Sequence, residues 1–185
     1  PLPLGYLLKI IKTSFKGSDE LPDFDNWKSM YLNGIKLILT VIIYFLPIII
    51  LVLILNPSQI FSLFNTNFSL YNLWSMFLGS IGQIIIFIVI GVMEYVGIAN
   101  MALYDGEISA AFRFREIIDR IAMIGWKKYL ISYLIIWILG FLTFIISILM
   151  LFILIGLIII PLLIIPYFMT LNARFLALIF ASSES

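Results

Sequence analysis

The sequence predicts an all-α fold, a polytopic helical membrane protein with four transmembrane helices in this chain and two amphipathic segments on the cytoplasmic face. Three observations predict it. First, 63% of the 185 residues are hydrophobic, mean hydropathy is +1.18, and only 11% are charged, against about 25% in soluble domains. Second, no charge falls between Leu37 and Met93 or between Tyr129 and Ala173. A crossing needs about 20 apolar residues, so each interval holds two. Third, the eleven basic residues precede the first span, lie between the second and third, or follow the core of the fourth. With four spans they all fall on one face, which the positive-inside rule makes cytoplasmic.

In chain order, residues 1–30 form an N-terminal segment in which Leu4, Leu7, Leu8, Ile11 and Phe15 share one side and Lys9, Lys12 and Lys16 lie largely on another. That is the pattern of a helix in the inner interface or of the exit from an earlier span. The chain starts at Pro1 rather than Met, which suggests processing, truncation or an upstream portion. Residues 31–104 form a first hairpin with helices at 32–55 and 74–103. Asn56-Pro57-Ser58-Gln59 ends the first helix and Tyr104-Asp105-Gly106 the second. At about 1.5 Å per residue the second helix exceeds the hydrocarbon thickness, so it must tilt or protrude. The loop between them carries Asn67-Phe68-Ser69, a formal glycosylation acceptor of a kind that often arises by chance.

Residues 105–125 read as one amphipathic cytoplasmic helix, with an apolar arc through Ile108, Ala111, Phe114, Ile118 and Ile121. Residues 126–185 form a second hairpin with helices at 126–149 and 157–180, the turn being placed by length and by Gly156. Pro161 and Pro166 are expected to kink the last helix, because each removes a backbone hydrogen bond. Trp27 before Lys28 and Trp126 before Lys127 read as interfacial anchors where spans enter the membrane.

The absence of His and Cys removes the usual zinc, haem and iron-sulfur ligands, thiol nucleophiles and every His-based relay. No catalytic residue, metal site or cofactor is nominated, and the protein is read as not an enzyme. A net charge of +1 argues against a nucleic-acid surface.

The candidate residues are the charges at or inside the spans. Glu94 is the sharpest, since a carboxylate at membrane depth is costly and is paired or functional. Lys36 lies one residue before the first charge-free run and Glu94 one residue after it, which predicts an ion pair, with Arg174 or Arg115 as competitors. In the amphipathic segment, Arg115 and Asp119 have the i, i+4 spacing of a helical pair inside the apolar arc, while Glu116 and Arg120 lie on the polar face. Each span also carries one polar or small face, such as Asn33, Lys36, Thr40 and Tyr44 on the first and Tyr167, Thr170 and Arg174 on the fourth. Such faces are expected to turn inward.

Several stretches are similar to an uncharacterised integral membrane family, domain of unknown function 4013, found largely in methanogenic archaea. They are Gly5-Tyr6-Leu7-Leu8-Lys9-Ile10-Ile11, Gly17 with the run from Glu20 to Trp27, Gly34, Tyr44 with Pro47, and Ala110-Ala111-Phe112-Arg113-Phe114-Arg115-Glu116-Ile117 followed by Ile124-Gly125-Trp126. The resemblance implies a further span upstream of Pro1 and a cell-membrane location. It supplies no activity and no functional residue.

Two function classes follow. The favoured one is a membrane subunit or scaffold whose two amphipathic segments dock membrane or cytoplasmic protein subunits, or a second copy, on the cytoplasmic face. The other is a small transporter or lipid-handling protein in which the polar stripes line a path and Glu94 carries the coupling charge. In both, the lipid bilayer is the first partner.

Overall fold

The computed structural model describes residues 1–18, 20–55, 81–152 and 156–183, and every element among them is helical. Helix α1 is Leu2–Phe15, α2 is Trp27–Leu55 and α3 is Ile81–Leu103. A 3-10 segment, Ile108–Phe112, leads to α4, Phe114–Ile124, and then to α5, Trp126–Leu151. The last span, α6, is Gly156–Ala181. Four helices, α2, α3, α5 and α6, are long and apolar enough to cross a membrane. The predicted start of the second span at residue 74, the loop before it and the Asn67 triplet lie outside the described residues.

The proline in the middle of each proline-bearing span is handled differently. Pro47 lies inside α2, which continues past it to Leu55. In α6 the segment Ile160–Ile164, containing Pro161, is a π turn, and Pro166 follows within the first turn of the α-helix Ile165–Ala181. The wider turn gives the proline ring room where an α-helical carbonyl would clash with it.

Side-chain burial is concentrated at the charged end. There Leu8, Ile10 and Ile11 of α1, Val96, Ala99 and Met101 of α3, Ile117 and Ile121 of α4, Tyr129 of α5 and Ala177 and Phe180 of α6 form one core. Towards the other end the spans present apolar side chains outward, for example Ile84 to Val89, Leu142 with Phe144 to Ile146, and Leu157 to Ile158. Helices apolar all round are what a lipid environment selects.

Helix α1, read from the sequence as an interfacial helix or the exit from an earlier span, packs into the bundle end against α2, α3 and α6. The reason is in its glycine: a Cβ on Gly5 would overlap the Met30 carbonyl, and one on Gly34 of α2 would overlap the Pro1 carbonyl. Two facing glycines bring the backbones together, as in close helix pairs in membranes. Lys9 pairs with Asp25 and Lys12 with Asp105 around the outside of this contact. The hydrogen bonds from these ammonium groups hold both carboxyls below their usual range. Exposed pairs of this kind contribute little. What they do contribute is present above the unfolded carboxyl range and fades as pH falls through the lowered folded value.

The predicted continuous helix over 105–125 is broken. Arg113, with φ −77° and ψ 67°, separates the 3-10 segment from α4. The break resets the helical phase, so that Ile117, Ile121 and Ile124 face the core while Phe114 and Ile118 of the predicted apolar arc are exposed. Gly125, at φ 93°, then turns the chain sharply into α5.

Two outcomes are expected. Gly5→Leu will destabilise the protein by about 1–3 kcal/mol or more, because the added side chain meets backbone that cannot yield; unfolding in mixed micelles measures it. Single cysteines in place of Ser18 and Ser183 in this cysteine-free chain will react with an impermeant maleimide from the same side of the membrane, and labelling from opposite sides would contradict four crossings.

Candidate functional site

Antiparallel α2 and α3 are held in register by three close approaches. Asn33 lies against Gly106, the Thr40 hydroxyl is 3.5 Å from the Met101 sulfur, and Tyr44 lies against Gly97. In that register Lys36 is level with Leu103 to Asp105, about ten residues, or about 15 Å of helix, from Glu94. The predicted Lys36–Glu94 ion pair therefore does not form. Nor does any ion pair join Glu94 to Arg174 or Arg115 among the described residues. Reasoning from the ends of the charge-free run assumed that the two helices finish at one depth, whereas α3 carries on nine residues past Glu94. Lys36 instead lines a basic groove between α1, α2 and the end of α3, together with Lys9, Lys12, Lys16 and Lys28.

The other predicted charges separate into two groups. Glu116 forms ion pairs with Arg120 at 3.6 Å and Arg113 at 3.7 Å, and Arg113 also reaches Glu107 at 3.5 Å. Arg113 stacks over Tyr104 and Arg120 over Phe180, at 4.3 and 4.5 Å from the ring centroids. Arg115 and Asp119 form no ion pair among the described residues; both are exposed beside a surface hollow, on the side of α4 opposite Ile117 and Ile121. The break at Arg113 put them there. Arg174 is half-buried on α6. Trp27 and Trp126 are exposed at the first residues of α2 and α5, and Trp27 meets Phe24 edge-on at 5.0 Å.

Glu94 lines a cavity of about 400 Å³ framed by α2, α3, α5 and α6. Helix α3 contributes Phe87, Gly91, Glu94 and Tyr95; α2 contributes Phe45; α6 contributes Phe168 and Asn172. The α5 wall is Tyr133, Ile136, Trp137, Gly140, Phe141 and Phe144. The rings form a linked series: Phe45 to Phe87 at 5.2 Å, Phe87 to Trp137 at 6.2 Å, Trp137 to Tyr133 at 6.2 Å and Tyr133 to Tyr95 at 5.7 Å. Trp137, Phe141 and Phe144 are more than half exposed, so the cavity opens on a flank of the spans. Sequence reasoning missed this wall. The signal was present in the four-residue spacing of Tyr129, Tyr133, Trp137 and Phe141, which stacks them along one side of α5.

The hydroxyls around the cavity are mostly committed elsewhere. Tyr44 donates to the Ala111 carbonyl, Tyr129 to the Val92 carbonyl at 2.6 Å, and Tyr95 to Asn172 Oδ1 at 2.6 Å. Glu94, half-buried, has no hydrogen bond or ion pair among the described residues. The polar face expected of the fourth span is not turned inward as a whole, because Tyr167 is 73% exposed. No group of three His, Cys, Asp or Glu residues capable of holding a metal occurs among the described residues.

At the charged end of the same bundle, Asn100 Nδ2 donates to the Ala110 carbonyl at 2.9 Å, next to the Tyr44–Ala111 bond. Tyr44→Phe is expected to cost about 1–3 kcal/mol, since it leaves a buried carbonyl without its donor. A melting curve in detergent measures this, and an unchanged midpoint would contradict it.

No curated protein and no solved structure matches the chain. The family model described as protein of unknown function (DUF4013) matches residues 1–152, which include α1 to α5 and every α3 and α5 residue of the cavity wall. The chain belongs to that family.

Proposed function

We propose that the protein is a non-enzymatic, multi-pass protein of the cell membrane, with both ends of this chain cytoplasmic, that takes an amphipathic molecule from the bilayer into the Glu94 cavity. The cavity itself carries this reading. It is about 400 Å³, within the size of small-molecule sites. Its walls are aromatic, its few polar groups converge from α3 and α6, and its rim lies where α5 faces outward. A lipid-handling protein needs such an opening, because its ligand arrives through the hydrocarbon rather than through water.

Reaction chemistry has little support in the same residues. Among the described residues of the cavity, Glu94 stands without a second carboxylate beside it, and an acid alone does not make a hydrolytic site. The docking-platform reading keeps one of its two surfaces: Ile118 and Met123 of α4 are exposed, while the apolar side of α1 is buried in the bundle. That observation supports partner binding as a second reading, tested by whether gentle extraction brings down a stoichiometric partner lost on Ile118→Ser with Met123→Ser.

For the cavity the decisive experiment uses a photoreactive long-chain alcohol. Saturable crosslinking is expected at α3, α5 and α6 residues of the wall. Gly140→Leu, which sets a side chain against Phe168 (an added Cβ is already 3.2 Å from that ring), is expected to remove the saturable part. Labelling spread evenly over outward residues such as Ile138, Leu142 and Phe152 would overturn the proposal.

A further inference from the structure

We propose that the ligand of this cavity is a cation, a long-chain ammonium with a substituted or quaternary head, whose charge sits between Glu94 and the rings of Tyr133, Trp137 and Phe87. The inference rests on the cavity reading above and adds the chemistry of the occupant.

The first argument is the missing counter-charge. An ionised carboxylate at membrane depth needs an opposite charge or internal donors. The chain's own cations are placed elsewhere. Lys36 lines the basic groove, Arg115 lies on the far side of α4, and neither these nor Arg174 form an ion pair with Glu94. Three nearby hydroxyls are also spent, since those of Tyr44, Tyr95 and Tyr129 serve Ala111, Asn172 and Val92, and the donors left in the wall, on Tyr133, Trp137 and Asn172, are all neutral. Among the described residues, then, no cation complements Glu94, and the place for one in the cavity is open to a ligand.

The second argument is what surrounds the carboxylate. Hard ions such as sodium or calcium select several oxygen ligands in a tight shell. Here the side-chain oxygens beside Glu94 are few, the Asn172 oxygen already accepts from Tyr95, and the remaining wall is aromatic. Ring faces attract large, weakly hydrated cations, and an aromatic wall with one carboxylate is the arrangement that recognises substituted ammonium groups. The linked rings from Phe45 to Tyr95 give such a head a continuous surface. The apolar remainder, out to Phe141 and Phe144, accommodates the chain.

The test compares probes of one chain length in uncharged maltoside micelles, with the full chain and the photoreactive alcohol as reporter. Dodecyltrimethylammonium is expected to displace the reporter at a concentration at least about tenfold below that of dodecanol, with dodecyl sulfate the weakest. In Glu94→Gln the advantage of the cation over dodecanol is expected to vanish. In Trp137→Leu, which keeps the carboxylate, the advantage is expected to shrink by several-fold, so the inference stays testable if Glu94→Gln does not fold. Equal potency of cation and alcohol in the unaltered protein, or a cation preference that survives Glu94→Gln, would overturn the cation while leaving the cavity reading intact. Failure of any probe to crosslink saturably would overturn both.

Discussion

A backbone inside a membrane bundle must have its carbonyls and amides satisfied within the protein, and the rest of this structure is arranged around the one place where that is difficult. The 3-10 segment Ile108–Phe112 tucks Ala110 and Ala111, both fully buried, into the charged end of the bundle. Their carbonyls are taken by Asn100 of α3 and Tyr44 of α2. For Tyr44 to reach, α3 must offer a surface with no side chain, and it does so at Gly97, where a Cβ would come within 2.8 Å of the Ala111 oxygen. The hydrogen bond, the glycine and the 3-10 turn thus form one constraint on how α2 and α3 lie against each other.

That register has electrostatic consequences. It sets Lys36 level with the end of α3, where α1 and the residue after it add Lys9, Lys12 and Lys16 to the same groove, and leaves Glu94 about three turns deeper among rings. The positive and negative charges of the first hairpin are separated instead of cancelled. The five lysines of the groove are partly balanced by Asp25 and Asp105, both exposed to solvent. Glu94 has no such balance among the described residues. Their separation leaves Glu94 beside the aromatic wall rather than against a cation of its own hairpin.

Helix α1 reinforces this arrangement. It packs against α2, α3 and α6 at the charged end, while α5 and α6 present exposed apolar faces towards the other end. Packing is dense where loops and termini gather and sparse where the spans meet lipid. In such a molecule the sparse region is where the helices are least held by one another, and it is the region that carries the cavity mouth.

The number of spans and their all-α character were legible in the residues alone, because a charge-free run of sufficient length has few other uses and because Lys and Arg gathered on one side. The proline-marked irregularity in α6 was also legible, since a missing N–H acts locally. The pairing of Glu94, the burial of α1 and the orientation of Arg115 and Asp119 were not. Each depends on a phase or a register that non-local contacts decide: Tyr44 on Ala111, Gly5 on Met30, and the break at Arg113 that rotates α4. Hydrophobic periodicity shows which side of a helix is apolar, but in a membrane lipid and protein are both apolar, so it does not say which apolar side meets the bundle. Only the packed tertiary structure, where close backbone approach and buried donors must be satisfied together, decided that and with it the surroundings of Glu94.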